Sequence, residues 1–131
     1  MRLTLVVAAL SFAACGNAPK LSSLRCQSAC QAAVDPFQLT LAVDFSDPSA
    51  SLSTGTLTVK VDTSTQAVVQ LSAVFKASGV DPAATSGTLR FTPDVVLQTV
   101  QSGQSFDVSV VAKNGDGAAS NEPKLTLGIS L

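Results

Sequence analysis

Apolar and polar side chains alternate along most of the chain from residue 37 onward. In residues 37–45, phenylalanine and aliphatic residues occupy every second position, which is typical of a strand with one buried face. The same pattern predicts six further strands, at residues 56–62, 69–75, 89–91, 95–100, 106–110 and 125–131. We therefore predict seven short strands.

Turn-forming pairs separate these strands, among them Asp47-Pro48, Asp81-Pro82 and Ser86-Gly87. No segment between them has a helical period, which argues against a parallel α/β sheet. We predict an all-β domain at residues 36–131, a seven-stranded antiparallel β-sandwich. Burial of each large apolar side chain contributes about 1.5–3 kcal/mol, so this domain is expected to fold alone. It contains no Cys, which excludes an inter-sheet disulfide.

The N-terminal residues have a different pattern, a nearly continuous apolar run from Leu3 to Ala14 after the basic Arg2. A short apolar run behind one positive charge, ending in small residues, is typical of an export signal. The run is shorter than the roughly 20 residues that span a bilayer. We predict a signal peptide at residues 1–14, with a buried core helix as the alternative.

The segment Phe12-Ala13-Ala14-Cys15 resembles the lipobox of bacterial lipoproteins, although Leu is usual where Phe12 stands. The resemblance implies diacylglycerol on the Cys15 sulfur, cleavage before Cys15, and acylation of the new amino terminus with a chain such as palmitate. Two or more acyl chains give stable membrane attachment. Gly16, where an Asp would retain a lipoprotein in the inner membrane, implies the outer membrane of the bacterial cell envelope.

Residues 15–35 are rich in Ser, Ala, Gln and Asn, and we predict a flexible, lipid-anchored tether there. Cys26 and Cys30 lie four positions apart in it. In an oxidising envelope they are expected to form a disulfide with each other. The alternatives are pairing with a partner protein, and a metal or redox site of the Cys-x-x-x-Cys kind.

Composition removes several classes of function. The 131 residues carry a net charge of −1 and include no His, which excludes Ser-His-Asp and Cys-His catalysis and most zinc sites. The eight Lys and Arg form no basic run that would bind nucleic acid. The nine acidic residues are scattered singly, so no carboxylate pair is indicated. We predict no enzyme, no cofactor and no metal.

Residues 100–114 resemble the end of a fibronectin type III domain. In that family an apolar residue is followed by a turn containing Gly and then by a Tyr, and an alternating strand and a polar loop come next. The apolar residue corresponds to Val100 here and the Tyr to Phe106. Phe106 lacks the tyrosine hydroxyl, and the family's buried Trp is absent. The resemblance implies a sandwich of the fibronectin or immunoglobulin kind.

The polar loop of this resemblance is residues 114–117, and Asn114 and Asp116 are the candidate binding residues in it. Some fibronectin domains carry Arg-Gly-Asp there, but the Arg is missing here. Two oxygen-bearing side chains are too few for calcium, which takes six to eight ligands. A polar hairpin tip is the alternative interpretation.

Two kinds of function fit these observations. In the first, the domain binds another envelope protein through its loops or an exposed edge strand. Glycan binding ranks lower, because the sequence offers no exposed aromatic residues for sugar stacking. Alternatively, the domain is a passive structural or spacer module of an envelope complex, or an accessory subunit of an enzyme.

Overall fold

The computed structural model describes residues 18–27, 40–93 and 103–128. Seven strands and one α-helix are present in these ranges. They are β1 (Lys20–Cys26), β2 (Leu41–Ser46), β3 (Thr56–Val61), β4 (Ser64–Gln70), α1 (Leu71–Ser78), β5 (Ser86–Phe91), β6 (Ser105–Lys113) and β7 (Lys124–Gly128), with a 3-10 turn at Leu52–Thr54 between β2 and β3.

The strands form two antiparallel sheets, one in the order β1-β2-β5 and the other in the order β4-β3-β6-β7. In the first sheet Val43 pairs with Leu89, and in the second Val59 pairs with Val110. All four side chains are fully buried in one core cluster. The predicted all-β antiparallel sandwich is therefore confirmed.

Alternation along the strands builds this core. In β3, Leu57, Val59 and Val61 are buried, while the residues between them are partly exposed. The helix closes part of the core, since the rings of Phe45 and Phe75 are tilted with centroids 5.1 Å apart. Period-two burial thus places one face of each sheet against the other.

The prediction of a tether is wrong for residues 20–26, because they form β1, an edge strand that pairs with β2. The pairing register shifts between Ser22 and Arg25, and Ser23 has a φ of 53°. This bulge brings Leu21 and Leu24, three positions apart, to the buried face. An alternation of apolar and polar residues therefore does not identify this strand. The sandwich begins before residue 36 and includes Cys26.

The predicted strand at 69–75 is correct only as far as Gln70. From Leu71 the chain forms α1, so the prediction that no helix interrupts the strands is also wrong. Leu71, Val74 and Phe75 are its buried residues, and their spacing is that of one helical face. Gly79 ends the helix in the left-handed conformation with φ of 70°.

The strands predicted within residues 40–45, 56–62, 89–91, 106–110 and 125–128 are confirmed in position. The turn predicted at Ser86-Gly87 is wrong, because both residues belong to β5 and pair with β2. The strand predicted at 95–100 lies outside the described residues, as do the predicted strand residues 37–39 and 129–131 and the signal peptide at residues 1–14. Within the described ranges, no helix has the length and apolar character needed to cross a bilayer.

A substitution at Leu89 tests which residues form the core. Leu89 lies on β5 with no exposed surface, so Leu89→Ala is expected to lower the free energy of unfolding by about 2–5 kcal/mol. The matched control is Ser72→Ala on the exposed face of α1, with a change within about 0.5 kcal/mol. Urea unfolding followed by circular dichroism measures both. Equal losses in the two variants would contradict the assigned core.

Candidate functional site

The candidate binding residues Asn114 and Asp116 lie in the loop that connects β6 to β7. The Asn114 side chain is buried, and its Oδ1 accepts the backbone N–H of Asp116 at 3.1 Å and of Ala118 at 2.9 Å. Gly117 supplies the positive φ, 89°, that this tight turn requires. Asn114 therefore shapes the loop from inside.

A second loop, residues 47–51 after β2, lies against the first. It is organised by Asp47, whose side chain is fully buried. Asp47 Oδ1 accepts the Ser49 hydroxyl at 2.9 Å, and Oδ2 accepts the Ser51 backbone N–H at 3.1 Å. A buried carboxylate is tolerated because these donors replace the water it loses.

Three hydrogen bonds join the two loops. Asn114 Nδ2 donates to Ser49 Oγ at 3.3 Å, and the Gly115 N–H donates to the Ser51 carbonyl at 2.9 Å. The Ser51 hydroxyl donates to Asp116 Oδ2 at 3.2 Å. The contact is close enough that a Cβ on Gly115 would collide with Thr54 Oγ1. These bonds tie a loop leaving one sheet to a hairpin of the other.

The arrangement uses most of the hydrogen-bonding capacity of the Asn114 side chain inside the protein. Asp116 is exposed and its carboxylate faces solvent beside Ser51, whereas Asn114 is buried. This geometry is that of a polar hairpin tip, the alternative interpretation of this loop. A binding role for Asn114 and Asp116 stays a prediction.

Asn121, which the sequence analysis did not single out, bonds to the outer edge of β1. Its Oδ1 accepts the Leu21 N–H at 2.8 Å, and its Nδ2 donates to the Leu21 carbonyl at 2.8 Å. One carboxamide thus imitates the neighbouring strand that an edge residue lacks. Asn121 belongs to the irregular segment before β7, so this contact also fastens one sheet to the other.

Ser78 does the same for β5 at the opposite edge of that sheet. The Arg90 N–H donates to Ser78 Oγ at 2.8 Å, and the Ser78 hydroxyl donates to the Arg90 carbonyl at 3.2 Å. Ser78 is the last residue of α1, so the helix covers this edge. No simple sequence motif identifies Asn121 or Ser78, because each acts on a strand remote in sequence.

Glu122 lies on the outer face of the four-stranded sheet. Its carboxylate accepts the hydroxyl of the buried Ser109 at 2.8 Å and pairs with Lys60 Nζ at 3.6 Å. The Ser109 hydrogen bond is the main cause that lowers the pKa of Glu122 below its ordinary value of 4.5, and the positive charge of Lys60 adds to it.

Asp44 has a matching environment on the outer face of the three-stranded sheet. The Thr88 hydroxyl donates to its carboxylate at 2.7 Å, and Arg25 pairs with it at 3.3 Å. Both contacts lower the pKa of Asp44, and the Thr88 bond is the larger cause. The ion pair is largely exposed, so it adds little to stability.

A shallow groove of about 520 Å³ opens where β1 meets the segment before β7. Its lining includes Ala18, Pro19, Phe45, Ala119 and Asn121. Within the described ranges, no three Cys, Asp or Glu side chains are grouped so that they could hold a metal ion.

The cysteines of the sequence analysis are not brought together by the described ranges. Cys26 ends β1, partly buried and opposite Leu41 of β2, and it has an interacting partner. Cys15 and Cys30 lie outside the described residues, so their predicted lipidation and disulfide stay predictions.

Comparison with known proteins adds no relative. No protein-family model, no curated protein and no solved structure matches this chain.

Asn121→Ala tests the closure of the β1 edge. Loss of both Leu21 bonds is expected to lower the free energy of unfolding by about 1–2 kcal/mol and to speed hydrogen exchange of the Leu21 amide. Ser72→Ala, on the exposed face of α1, is the control and should leave that exchange unchanged. Unchanged exchange in Asn121→Ala would show that the carboxamide does not hold the edge.

The lowered pKa of Glu122 predicts how the stability of the protein depends on pH. Because the pKa of this carboxyl is lowered by folding, its contribution to stability is present above pH 4.5 and is lost as the pH falls through the folded-state pKa. The stability difference between the protein and Glu122→Gln should therefore shrink in acid. A titration of the side-chain carboxyl by NMR should show that Ser109→Ala raises its pKa, because this change removes the largest single cause of the lowering. An unchanged pKa in Ser109→Ala would refute the assigned cause.

Proposed function

We propose that this protein is a lipid-anchored component of the bacterial cell envelope whose sandwich domain binds another protein. The observation that carries the anchor is the sequence from Leu3 to Cys15, an apolar run that ends in a lipobox-like segment. The acyl chains on Cys15 hold the protein in the membrane, and Gly16 favours the outer membrane.

The distance between anchor and domain supports a position close to the membrane surface. Lys20, the first residue of β1, follows Cys15 by five positions. Five extended residues span at most about 18 Å. The lipid and the sandwich are therefore linked by a connection shorter than the tether predicted at residues 15–35.

We infer further that the sandwich is of the immunoglobulin or fibronectin type III kind. In the immunoglobulin fold strands A, B and E share one sheet, and C, F and G share the other. Here β1, β2 and β5 share one sheet, and β3, β6 and β7 share the other. Phe106 is buried near the start of β6, where the family has its corner Tyr. Domains of this kind commonly bind proteins through loops and edges.

The proposal includes a disulfide between Cys26 and Cys30. Export places both thiols in an oxidising compartment. Cys26 ends an edge strand, so a bridge to Cys30 would hold the chain that leaves β1 close to the strand.

A spacer is the second candidate, and the closed edges of the three-stranded sheet favour it. Asn121 and Ser78 bond backbone groups that an added strand would need on β1 and β5. An envelope module whose three-stranded sheet accepts no added strand would separate other components without binding them along that sheet. A role as an accessory subunit of an enzyme has no comparable support.

Cys15→Ser tests the anchor. The unchanged chain is expected to partition into the detergent phase, with an intact mass that includes diacylglycerol and a further acyl chain on a polypeptide beginning at Cys15. The variant should lose the acyl mass and move to the aqueous phase. Cys30→Ser serves as the control and should remain lipidated. If the unchanged protein has its unmodified mass and stays in the aqueous phase, the lipid anchor is wrong.

A further inference from the structure

The four sheet edges of the sandwich differ in how they are protected. An edge strand presents unpaired N–H and C=O groups, which proteins commonly shield with charges, prolines or covering elements. Here Asn121 bonds β1, Ser78 bonds β5, and β7 begins at Lys124 directly after Pro123. β4, with the sequence STQAVVQ, has neither a charge nor a proline.

The register of β4 shows which of its backbone groups face outward. The Leu71 N–H donates to the Gly55 carbonyl at 3.1 Å, and the pairing with β3 runs on to Val69 opposite Leu57. Because hydrogen-bonded and non-hydrogen-bonded pairs alternate in an antiparallel ladder, Val68 and Gln70 direct their N–H and C=O groups away from β3. Within the described ranges, no other strand pairs with this side of β4.

The side chains of β4 add an apolar element to that edge. Val68 is 59% exposed, the large hydrophobic residue with the most exposed surface in the described ranges. Its neighbours Ala67 and Val69 are partly buried against the core. Val68 stands opposite Thr58, on the outer face of the sheet, so no part of the core covers it.

We propose that β4 pairs antiparallel with β4 of a second copy of this chain, across a two-fold axis at Val68. The outward N–H and C=O groups of each Val68 then bond those of the other Val68, and the two four-stranded sheets join into one of eight strands. Each Val68 covers the other, and each Gln70 lies opposite a Gln66. A two-fold contact of this kind is self-complementary.

Charge complementarity at the ends of the strand favours a second copy as the occupant. Asp62 precedes β4 and Lys76 follows it on α1, and both side chains are exposed. Antiparallel pairing places the Asp62 end of each copy beside the Lys76 end of the other. The neutral strand between them introduces no like-charge pair.

The contact is a weak one. The β3–β4 register shifts between Thr65 and Ala67, which leaves Gln66 as a bulge and limits the regular edge to Ala67–Gln70. Such a short strand buries less than the roughly 1,200 Å² of a standard stable interface. This pairing rests on the proposed function, since it specifies which protein the sandwich binds and through which surface. It does not depend on the lipid anchor.

Crosslinking of the full chain in membranes of expressing cells tests the arrangement. Val68→Cys, treated with a short bismaleimide, is expected to give a covalent dimer. Thr126→Cys on the exposed edge strand β7 is the matched control and, like the unchanged chain, should give none. Equal dimer formation in the control, or no dimer from Val68→Cys, overturns the proposal. A crosslink to a protein of another mass also overturns it, since the edge then has a different occupant.

A charged residue introduced at Val68, on the proposed two-fold axis, provides a second test. Val68→Lys opposes two positive charges and is expected to raise the dissociation constant of the dimer about tenfold. Thr126→Lys should leave it unchanged. Sedimentation equilibrium of the full chain in detergent measures this, and circular dichroism shows that each variant is folded. Equal dissociation constants for Val68→Lys and the unchanged chain would contradict the pairing. Intact mass reports lipidation separately, so loss of the anchor and loss of the dimer are distinguishable.

Discussion

Burial of one face of each sheet against the other is the constraint on which this structure depends. Val43 and Leu89 on one sheet, and Val59 and Val110 on the other, have no exposed surface. Each lies in a strand whose alternate residues are turned outward, so a change of register by one residue would expose the whole apolar face. The pairings of β2 with β5 and of β3 with β6 follow from this requirement.

A sandwich built in this way leaves polar backbone at its edges and loops, and the protein satisfies those groups with a few polar side chains. Asp47 and Asn114 bond two loops together at one end. Asn121 and Ser78 bond the outer backbone of β1 and β5. In the described ranges every fully buried side-chain nitrogen and oxygen has a partner. The loop predicted to bind a ligand is thus part of the scaffold, and among the edge strands of the described ranges β4 is the one without a charged residue.

The regular strands were predictable because each obeys a period of two. β3 shows this most clearly, with Leu57, Val59 and Val61 buried in turn. β1 was not predictable in that way, since its bulge places Leu21 and Leu24 on the same face. α1 carried a usable signal, the spacing of Leu71, Val74 and Phe75 followed by Gly79. Its first apolar residues also fit the alternation that continues from β4, so the sequence pattern predicts a strand there.

The sequence by itself determined the all-β class, the positions of most strands, and the candidate lipid anchor at Cys15. Local periodicity and a short contiguous motif carry that information. Only the tertiary structure decided that the sandwich begins at β1, that Asn114 supports its loop from inside, and that Asn121 bonds Leu21. These contacts join residues up to 100 positions apart. Their formation depends on how the sheets stack, which no local pattern of side chains specifies.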